Sequence, residues 1–473
     1  MKVEVFVDAT ASLGTLDRRV YGQFIEHLGR CIYGGIWVGE RSKIPNIKGF
    51  RKDVLEAVRA IRPPIVRWPG GNFASAYHWE DGIGPREKRP RRFDLAWKVE
   101  EPNEFGTDEF IEWCRLVNTE PFIVVNAGNG TPEEAARWVE YCNSKGDTYY
   151  AQLRKKYGHS EPYNVRLWGI GNELYGRWQV GFCIDGEECA RRTIEFANEM
   201  KRIDPEIELV GVGCEDPEWN LDMLKIAGGY IDYLSVHIYI RGDKPYRELV
   251  ASPTDIEDRL KGVFYLIKVA RRKWKIRKDI KIAFDEWNVW SSEATCIKEA
   301  IFTALVLNSL QRLCNAVAIA CFAQTVNVLP LIVTRDDGSM FVNPQYLVFK
   351  LYSQGIGNEV LKVTVDAPSY YSKEIARPTC FIDASATMRE DAIYIHVINR
   401  NEEEEAECRI KFRGFMPVAA RHLYISGRSI NDRNTFDEPN NVSIEEGKDI
   451  SIKGYEIILK LPPHSVNLLS VRR

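Results

Sequence analysis

Hydrophobic residues along the first three quarters of the chain form short apolar runs, and longer stretches with a helical period lie between them. The runs lie at 20–24, 65–68, 122–126, 165–170, 209–213, 233–238, 280–284 and 316–322. The amphipathic stretches lie at 53–61, 107–117, 132–143, 187–202, 255–273 and 297–313. This alternation is typical of βα units whose strands form a parallel sheet.

The count of eight runs decides which parallel sheet is expected. Eight strands separated by helices predict a closed (β/α)₈ barrel, the TIM barrel. Two helix starts carry local signals, with Asp53 opening one and Thr131 followed by Pro132 opening another. An open doubly wound sheet is the alternative, but no Gly-x-Gly-x-x-Gly follows the first run to favour nucleotide binding.

After about residue 355 the pattern changes to short alternating runs, such as 392–398 and 455–461, with turn residues between them. This pattern predicts a C-terminal antiparallel β-sandwich, jelly-roll-like in type. The expected domains are a catalytic barrel at 18–354 and a sandwich at 355–473. The segment 1–17 alternates like a strand and is expected to join the sandwich.

Composition narrows the class of protein. A chain of 473 residues exceeds the roughly 250 to 300 residues of one core, which supports two domains. The formal net charge of -3 shows no basic excess, so neither a nucleic acid nor a membrane is expected as a partner. The 11 cysteines include no Cys-x-x-Cys pair, and we interpret them as reduced thiols. With no signal-peptide pattern, the expected location is the cytoplasm.

Two carboxylates follow apolar runs directly. Glu173 comes after the fourth run and Glu286 after the seventh. Side chains at the C-terminal ends of barrel strands converge on one mouth, so the two carboxyl groups are expected to face each other there. Glycoside hydrolysis needs such a pair, one group to protonate the leaving oxygen and the other to attack the anomeric carbon or activate water.

Other polar side chains are expected around the same mouth. They follow the first, second, third and sixth runs: Glu26, His27, Arg67, Asn72, Asn126, His237 and Tyr239. Gly70-Gly71 suits a tight turn that brings Asn72 inward. His27 by itself is more typical of a structural histidine than of a catalyst.

These residues belong to longer segments that carry a family resemblance. The segments are 24–35, 67–73, 78–85, 93–97, Gly-Ile-Gly-Asn-Glu at 169–173, Asp-Glu-Trp-Asn-Val-Trp at 285–290 and Ala-Gln-Thr-Val-Asn at 323–327. Together they resemble the α-L-arabinofuranosidases of glycoside hydrolase family 51. The resemblance crosses the whole barrel and continues more weakly into the C-terminal sheet, most clearly at 431–435.

The resemblance implies a retaining, exo-acting enzyme that removes terminal non-reducing α-L-arabinofuranosyl residues by double displacement. Glu173 becomes the general acid/base and Glu286 the nucleophile. Substrate binding would fall to Glu26, Arg67, Asn72, Trp97, Asn172, His237, Tyr239, Trp290 and Gln345. It further implies arabinofuranosyl-containing oligosaccharides as partners, a homo-oligomer that is a hexamer, and neither a cofactor nor a metal.

Within this resemblance, Tyr239 would hydrogen-bond the nucleophile, and Trp97 and Trp290 would wall the cleft. Gln345 matches a substrate-binding glutamine only loosely. The stretch between Trp290 and Ile301 is short compared with relatives, which would open one rim. The two roles also require a raised pKa for Glu173 and a low one for Glu286.

Three other functions remain as alternatives. A related barrel glycosidase acting on pyranosides, either a β-xylosidase or an endoglucanase, would share the carboxylate pair. A non-catalytic sugar-binding protein would keep the cleft. A metal hydrolase is disfavoured because the 7 histidines include no His-Glu-x-x-His.

Overall fold

The structure, a computed structural model, describes residues 1–291 and 294–473. Eight parallel strands close into a barrel in chain order, and the eighth pairs with the first. These barrel strands are Gly22–Phe24, Ile65–Trp68, Glu120–Val125, Leu167–Ile170, Glu208–Gly211, Tyr233–Arg241, Lys281–Trp290 and Val317–Ala323. The predicted (β/α)₈ barrel is confirmed, and the open doubly wound sheet is wrong.

The helices of the described residues surround this barrel. They are Lys52–Ile61, Thr107–Val117, Pro132–Asn143, Tyr149–Lys156, Gly186–Ile203, Pro217–Ala227, Tyr246–Trp274, Ile297–Arg312 and Pro344–Gln354. Thr131 caps its helix as predicted, because its side chain accepts a hydrogen bond from the Glu134 backbone amide. Asp53 does not open its helix: Arg51 is the N-cap, and Asp53 lies in the first turn. None of the described helices is long and apolar enough to cross a membrane.

A second sheet of ten strands is built mainly from the C-terminal part of the chain. In spatial order its strands are Ile444–Gly447, Ala419–Ile425, Ser465–Arg472, Ala392–Asn399, Ile382–Arg389, Glu359–Asp366, Lys2–Thr15, Ala406–Arg413, Glu456–Leu461 and Ile450–Lys453. Neighbours are antiparallel except where Lys2–Thr15 runs parallel to Ala406–Arg413. The predicted antiparallel C-terminal sheet is therefore confirmed, with this one parallel pairing. The domain boundaries stay predictions.

Short two-stranded hairpins form separate sheets beside the two larger ones. They pair Asn46–Ile47 with Phe50–Arg51, Arg92–Phe93 with Glu100–Glu101, Ile332–Thr334 with Met340–Val342, and Ser369–Ser372 with Arg377–Cys380. The hairpin Arg92–Phe93/Glu100–Glu101 matters for function because its turn carries Trp97.

The helix Ile297–Arg312 joins the barrel to the ten-stranded sheet. It packs on the barrel strand Lys281–Trp290 and also on three strands of the sheet, among them Ala392–Asn399. Almost all of its residues are buried, including the polar Asn308 and Gln311. Burial from both sides explains why this helix lacks the polar face of an ordinary barrel helix.

Candidate active site

A cavity of about 660 Å³ opens at the C-terminal ends of the barrel strands. This is the face at which barrel enzymes place their active sites. Seven of the residues singled out in the sequence line it: Glu26, Asn72, Trp97, Glu173, Tyr239, Glu286 and Trp290. The strand-end positions thus converge as expected.

The two glutamates approach each other across this cavity. Glu286 lies within the seventh barrel strand, and Glu173 lies three residues after the fourth. A carboxylate oxygen of each lies within 4.8 Å of the other. Glu173 has a φ of 44°, a left-handed conformation that non-glycine residues rarely adopt and that clusters at functional sites.

Both carboxylate oxygens of Glu286 accept hydrogen bonds from fixed donors. Arg67 Nη1 donates to Oε1 at 2.6 Å, and the Tyr239 hydroxyl donates to Oε2 at 2.8 Å. Arg67 is fully buried, and its Nε also lies 3.3 Å from Asp285 Oδ2. These contacts hold the Glu286 carboxylate in one orientation inside the barrel mouth.

Glu173 is hydrogen-bonded on one oxygen. His237 Nδ1 lies 2.9 Å from its Oε1, and the Tyr175 hydroxyl donates to the same oxygen at 3.2 Å. Burial raises the pKa of Glu173, but the hydrogen bond and positive charge of His237 outweigh burial and hold that pKa below its usual value. The predicted raised pKa of Glu173 is therefore wrong for this arrangement.

His237 lies among three carboxylates. Besides Glu173, its Nδ1 is 3.6 Å from Glu286 Oε1, and its Nε2 is 3.4 Å from Asp285 Oδ1. Burial lowers the pKa of His237, but the charges of Glu286 and Asp285 outweigh burial and raise that pKa to about 10. The imidazole is consequently protonated near neutral pH.

The same three side chains raise the question of a metal site. Ligand atoms of Glu173, His237 and Glu286 form the one group of potential metal ligands found in the described part of the chain. A protonated imidazole has no free lone pair for a cation, since both ring nitrogens are then donors. Hydrogen bonding accounts for this cluster, so these residues fit a proton-transfer site better than a metal site.

Glu26 is buried at the floor of the cavity. Its Oε1 accepts from Trp97 Nε1 and from the Phe73 backbone amide, both at 3.1 Å, and its Oε2 accepts from Gln324 Nε2 at 3.0 Å. Burial and the charge of Glu286 raise the pKa of Glu26 to about 8. A Cβ on Gly71 would lie 2.5 Å from Glu26 Oε1, so any larger residue at this position would displace the carboxylate.

Asn72 and Asn172 belong to one hydrogen-bond chain. Asn172 Nδ2 donates to Asn72 Oδ1 at 3.5 Å, and the buried Gln179 also donates to that oxygen. Asn72 Nδ2 is thereby turned away from these donors. Arg67 Nη2 donates to Asn172 Oδ1 at 2.7 Å. Arg67 and Asn172 are each 1% exposed and lie behind the cavity wall.

The structure contradicts the placement of Gln345 in the cleft. Gln345 is fully buried at the start of helix Pro344–Gln354, and its Nε2 donates to Asn288 and Thr303. Gln324 lines the cavity instead. It comes directly after the eighth barrel strand, so the rule that found the two glutamates could also have found it. Trp178, a 65% exposed residue of the cavity wall, was missed as well.

Two further strand-end residues lie away from the cavity wall. His27 is buried between Trp68 and Glu101. Asn126 bonds the backbone of its own loop through Gly128 and Asn129. The predicted opening of the rim after Trp290 involves residues 292 and 293, which lie outside the described residues.

Comparison with known proteins places this geometry in a family. A family model described as "Alpha-L-arabinofuranosidase 1 domain" matches residues 57–252, and one described as "Alpha-L-arabinofuranosidase C-terminal domain" matches 285–465. The "Intracellular exo-alpha-(1->5)-L-arabinofuranosidase 1" of Bacillus subtilis is 34% identical over 100% of this chain and 99% of its own length. The chain belongs to the α-L-arabinofuranosidase family.

Solved structures agree with this membership in family 51. The α-L-arabinofuranosidase of Thermotoga maritima, described as an arabinose complex, is 43% identical over 100% of both chains with a TM-score of 0.91. The GH51 α-L-arabinofuranosidase of Thermotoga petrophila RKU-1 is also 43% identical over 100% of both chains, with a TM-score of 0.92. The resemblance to the α-L-arabinofuranosidases that the sequence motifs indicated is therefore confirmed over the full chain.

Proposed function

We propose that this chain is a retaining, exo-acting α-L-arabinofuranosidase that hydrolyses terminal α-L-arabinofuranosyl residues of arabinosides and arabino-oligosaccharides. The observation that carries the proposal is the approach of the Glu173 and Glu286 carboxylates to within 4.8 Å between their nearest oxygens. Retaining glycosidases hold their two carboxyl groups about 5 to 5.5 Å apart, whereas inverting enzymes leave room for water at about 6.5 to 9.5 Å.

In the first step Glu286 attacks the anomeric carbon and Glu173 protonates the departing oxygen. The bond between these two atoms breaks as the arabinosyl ester of Glu286 forms. Arg67 and Tyr239 hold the attacking carboxylate in place. In the second step water cleaves the ester, with Glu173 accepting a proton from that water.

His237 supplies a source for the proton that Glu173 must deliver. Its protonated Nδ1 lies 2.9 Å from Glu173 Oε1, so one proton can be shared between the two groups. Transfer from His237 to Glu173 leaves two neutral groups, and exclusion of water by a bound sugar favours neutral groups over a buried ion pair. The proton taken from water in the second step restores the starting state.

The remaining polar groups fit a small polyhydroxylated ring. Glu26 and Asn72 face the cavity and are the groups we assign to the furanose hydroxyls. Asn172 bonds Asn72 from behind the cavity wall, and Arg67 bonds Asn172 in turn. Gln324 adds an acceptor, because its buried Oε1 has no partner among the described residues. Trp97 and Trp290 form apolar walls suited to sugar C–H surfaces.

A panel of aryl glycosides with product stereochemistry followed by NMR tests this function. We expect release of the aryl group from the α-L-arabinofuranoside, with retention of configuration at the anomeric carbon. Glu286→Ala should abolish turnover. Glu173→Ala should slow substrates with poor leaving groups by about 10²- to 10⁴-fold and spare the first step for activated ones. The matched control is Glu257→Gln, a largely buried acid paired with Arg312 away from the cavity.

Three results would contradict the assignment. Wild-type activity of Glu286→Ala on an aryl arabinofuranoside would show that Glu286 is not the nucleophile. Inversion at the anomeric carbon would replace double displacement by a single displacement through water. Faster turnover of a β-xyloside or β-glucoside than of the arabinofuranoside would favour a pyranosidase instead.

The assembly, location and domain division are proposed with the function. Family membership supports a hexamer, which light scattering of the purified chain measures directly. The relatives from Bacillus subtilis and Acetivibrio thermocellus are named intracellular, which supports a cytoplasmic protein. The division into 18–354 and 355–473, with 1–17 joining the latter, is supported by the strand Lys2–Thr15 in the ten-stranded sheet.

A further inference from the structure

The hairpin Arg92–Phe93/Glu100–Glu101 carries Trp97 into the cavity wall. The Asp94 carboxylate accepts the Trp97 backbone amide at 2.9 Å and so shapes the turn. The flanks of the hairpin pack poorly, because Phe93 is 64% and Val99 53% exposed. Apolar burial therefore contributes little to holding this hairpin, and its polar attachments matter more.

The attachment at the base of the hairpin is buried. Glu101 is 6% exposed and accepts three hydrogen bonds from groups outside its own strand. His27 Nδ1 lies 3.0 Å from its Oε2, and the Asn103 backbone amide donates to its Oε1 at 2.7 Å. The Tyr33 hydroxyl donates to the same Oε1. Both carboxylate oxygens are thus fixed by neighbours.

The contacts of His27 determine its tautomer. Trp68 Nε1 donates to His27 Nε2 at 3.1 Å. An indole N–H can only donate, so Nε2 must present its lone pair, and the ring proton lies on Nδ1. His27 is therefore a neutral imidazole that donates to Glu101. Its ring also stacks on Phe73 with centroids 4.5 Å apart, which fixes its plane.

The same two chain segments meet a second time at the sugar pocket. His27 directly follows Glu26, and Glu26 Oε1 accepts the Trp97 indole N–H at 3.1 Å. The contact of His27 with Glu101 and the contact of Trp97 with Glu26 therefore join the first strand end to one hairpin at two points. Losing the buried contact would leave the Trp97 contact as the remaining one of these two links between the first strand end and the hairpin.

We propose that the buried pair His27 and Glu101 positions the arabinofuranosyl pocket by fixing the hairpin whose Trp97 orients the Glu26 carboxylate. The inference rests on the proposed function and deepens it. Neither residue of the pair lines the cavity; both act through Trp97 and Glu26. They are positioning residues, and their removal should weaken sugar binding while the two catalytic carboxylates stay in place.

The first test replaces Glu101 by its amide. Glu101→Gln keeps the shape of the side chain but turns one acceptor into a donor, which faces either the Tyr33 hydroxyl and Asn103 amide or the His27 N–H. We expect kcat/KM on 4-nitrophenyl α-L-arabinofuranoside to fall about tenfold, mostly as a higher KM, because the Glu26 carboxylate that the hairpin positions binds the sugar in ground and transition state alike. The surface pair of the same hairpin, Arg92 with Asp81 at 2.7 Å, provides the control: Arg92→Gln should stay within about twofold of wild type.

A double-mutant cycle separates positioning from general damage. Trp97→Phe removes the indole donor to Glu26, so the proposed route no longer exists in that background. Adding Glu101→Gln to Trp97→Phe should then cost less than about twofold more in kcat/KM. If the two losses multiply instead, the pair does not act through Trp97 and the inference is overturned.

Two substitutions at His27 test the hydrogen bond itself. His27→Asn can place an amide N–H near the position of Nδ1 and should keep most of the activity. His27→Gln places its amide near Nε2, away from Glu101, and should resemble Glu101→Gln. Thermal unfolding of each variant identifies a loss that comes from folding alone. Equal activities of the two folded His27 variants would contradict the proposal.

The activity of the unsubstituted parent chain distinguishes a failure of the proposed function from a failure of the inference about His27 and Glu101. A parent that hydrolyses no α-L-arabinofuranoside defeats the proposed function. A parent that hydrolyses the substrate normally, with a Glu101→Gln variant of unchanged KM, defeats only the inference about His27 and Glu101.

Discussion

Two buried histidines in different parts of the molecule experience opposite environments. His237 at the barrel mouth has carboxylates of Glu173, Asp285 and Glu286 around it, and its pKa is raised to about 10. His396 lies in the ten-stranded sheet against helix Ile297–Arg312, where burial lowers its pKa to about 3. Its ring stacks on Tyr352 with centroids 3.7 Å apart.

The difference shows that burial alone does not decide protonation. Both histidines lose their water, which disfavours the charged form in each. At the mouth, negative charge within 4 Å more than compensates for that loss. In the sheet, His396 Nδ1 lies 3.4 Å from the neutral Gln311 amide. Concentrated, mutually compensating charge therefore marks the site where protons must move.

The largest expected effect comes from removing the cation that balances the mouth. Arg67→Met leaves the buried Asp285 and Glu286 without the guanidinium that pairs with both, and we expect a loss of about 3 to 5 kcal/mol in the free energy of unfolding together with loss of activity. Urea denaturation and hydrolysis of an aryl arabinofuranoside measure the two effects.

Arg312 offers the matched control in the other region. It pairs with Glu257 and Asp383, but its side chain is 27% exposed, so solvent replaces part of what is lost. Arg312→Met should destabilise the protein less than Arg67→Met and leave kcat/KM unchanged per folded molecule. Equal losses of activity in the two variants would show that the two regions do not differ in their importance for activity.

The next effect tests the histidines themselves. His237→Gln removes the proton source beside Glu173, and we expect kcat for a substrate with a poor leaving group to fall about 10²-fold. His396→Gln should leave kcat unchanged because the His396 ring contacts Tyr352 and Gln311, which lie outside the cavity wall. A His237→Gln variant with wild-type kcat and pH profile would show that Glu173 draws its proton directly from water.

The sequence predicted those parts of the molecule that depend on local pattern. Eight apolar runs separated by amphipathic stretches indicated the barrel, and the strand-end rule identified Glu173 and Glu286. Gln324 obeys the same rule, whereas the family resemblance pointed to Gln345. Gln345 has the expected residue type, but its side chain donates to the buried Asn288.

Features that depend on distant partners could not be predicted in this way. The lowered pKa of Glu173 comes from His237, 64 residues away. The strand Lys2–Thr15 lies between Glu359–Asp366 and Ala406–Arg413, and no local pattern specifies those neighbours. Likewise, the neutral tautomer of His27 follows from Trp68 and Glu101, which converge only in the folded barrel.

The smallest expected effect is a pH dependence with opposite signs in the two regions. The folded pKa of His396, about 3, lies below the unfolded value of about 6.5, so its neutral form is the one that folding favours. Stability is then fully present above pH 6.5 and declines as pH falls below it. Between pH 7 and pH 5 the free energy of unfolding of the wild type should fall by about 2 kcal/mol more than that of His396→Gln.

For His237 the folded pKa is raised, so its contribution to stability is fully present below pH 6.5 and is lost as pH rises toward 10. Urea denaturation of wild type, His396→Gln and His237→Gln at pH 5, 7 and 9 measures both slopes. If either histidine variant keeps the wild-type slope in its own window, that histidine does not have the charge state that its neighbours require.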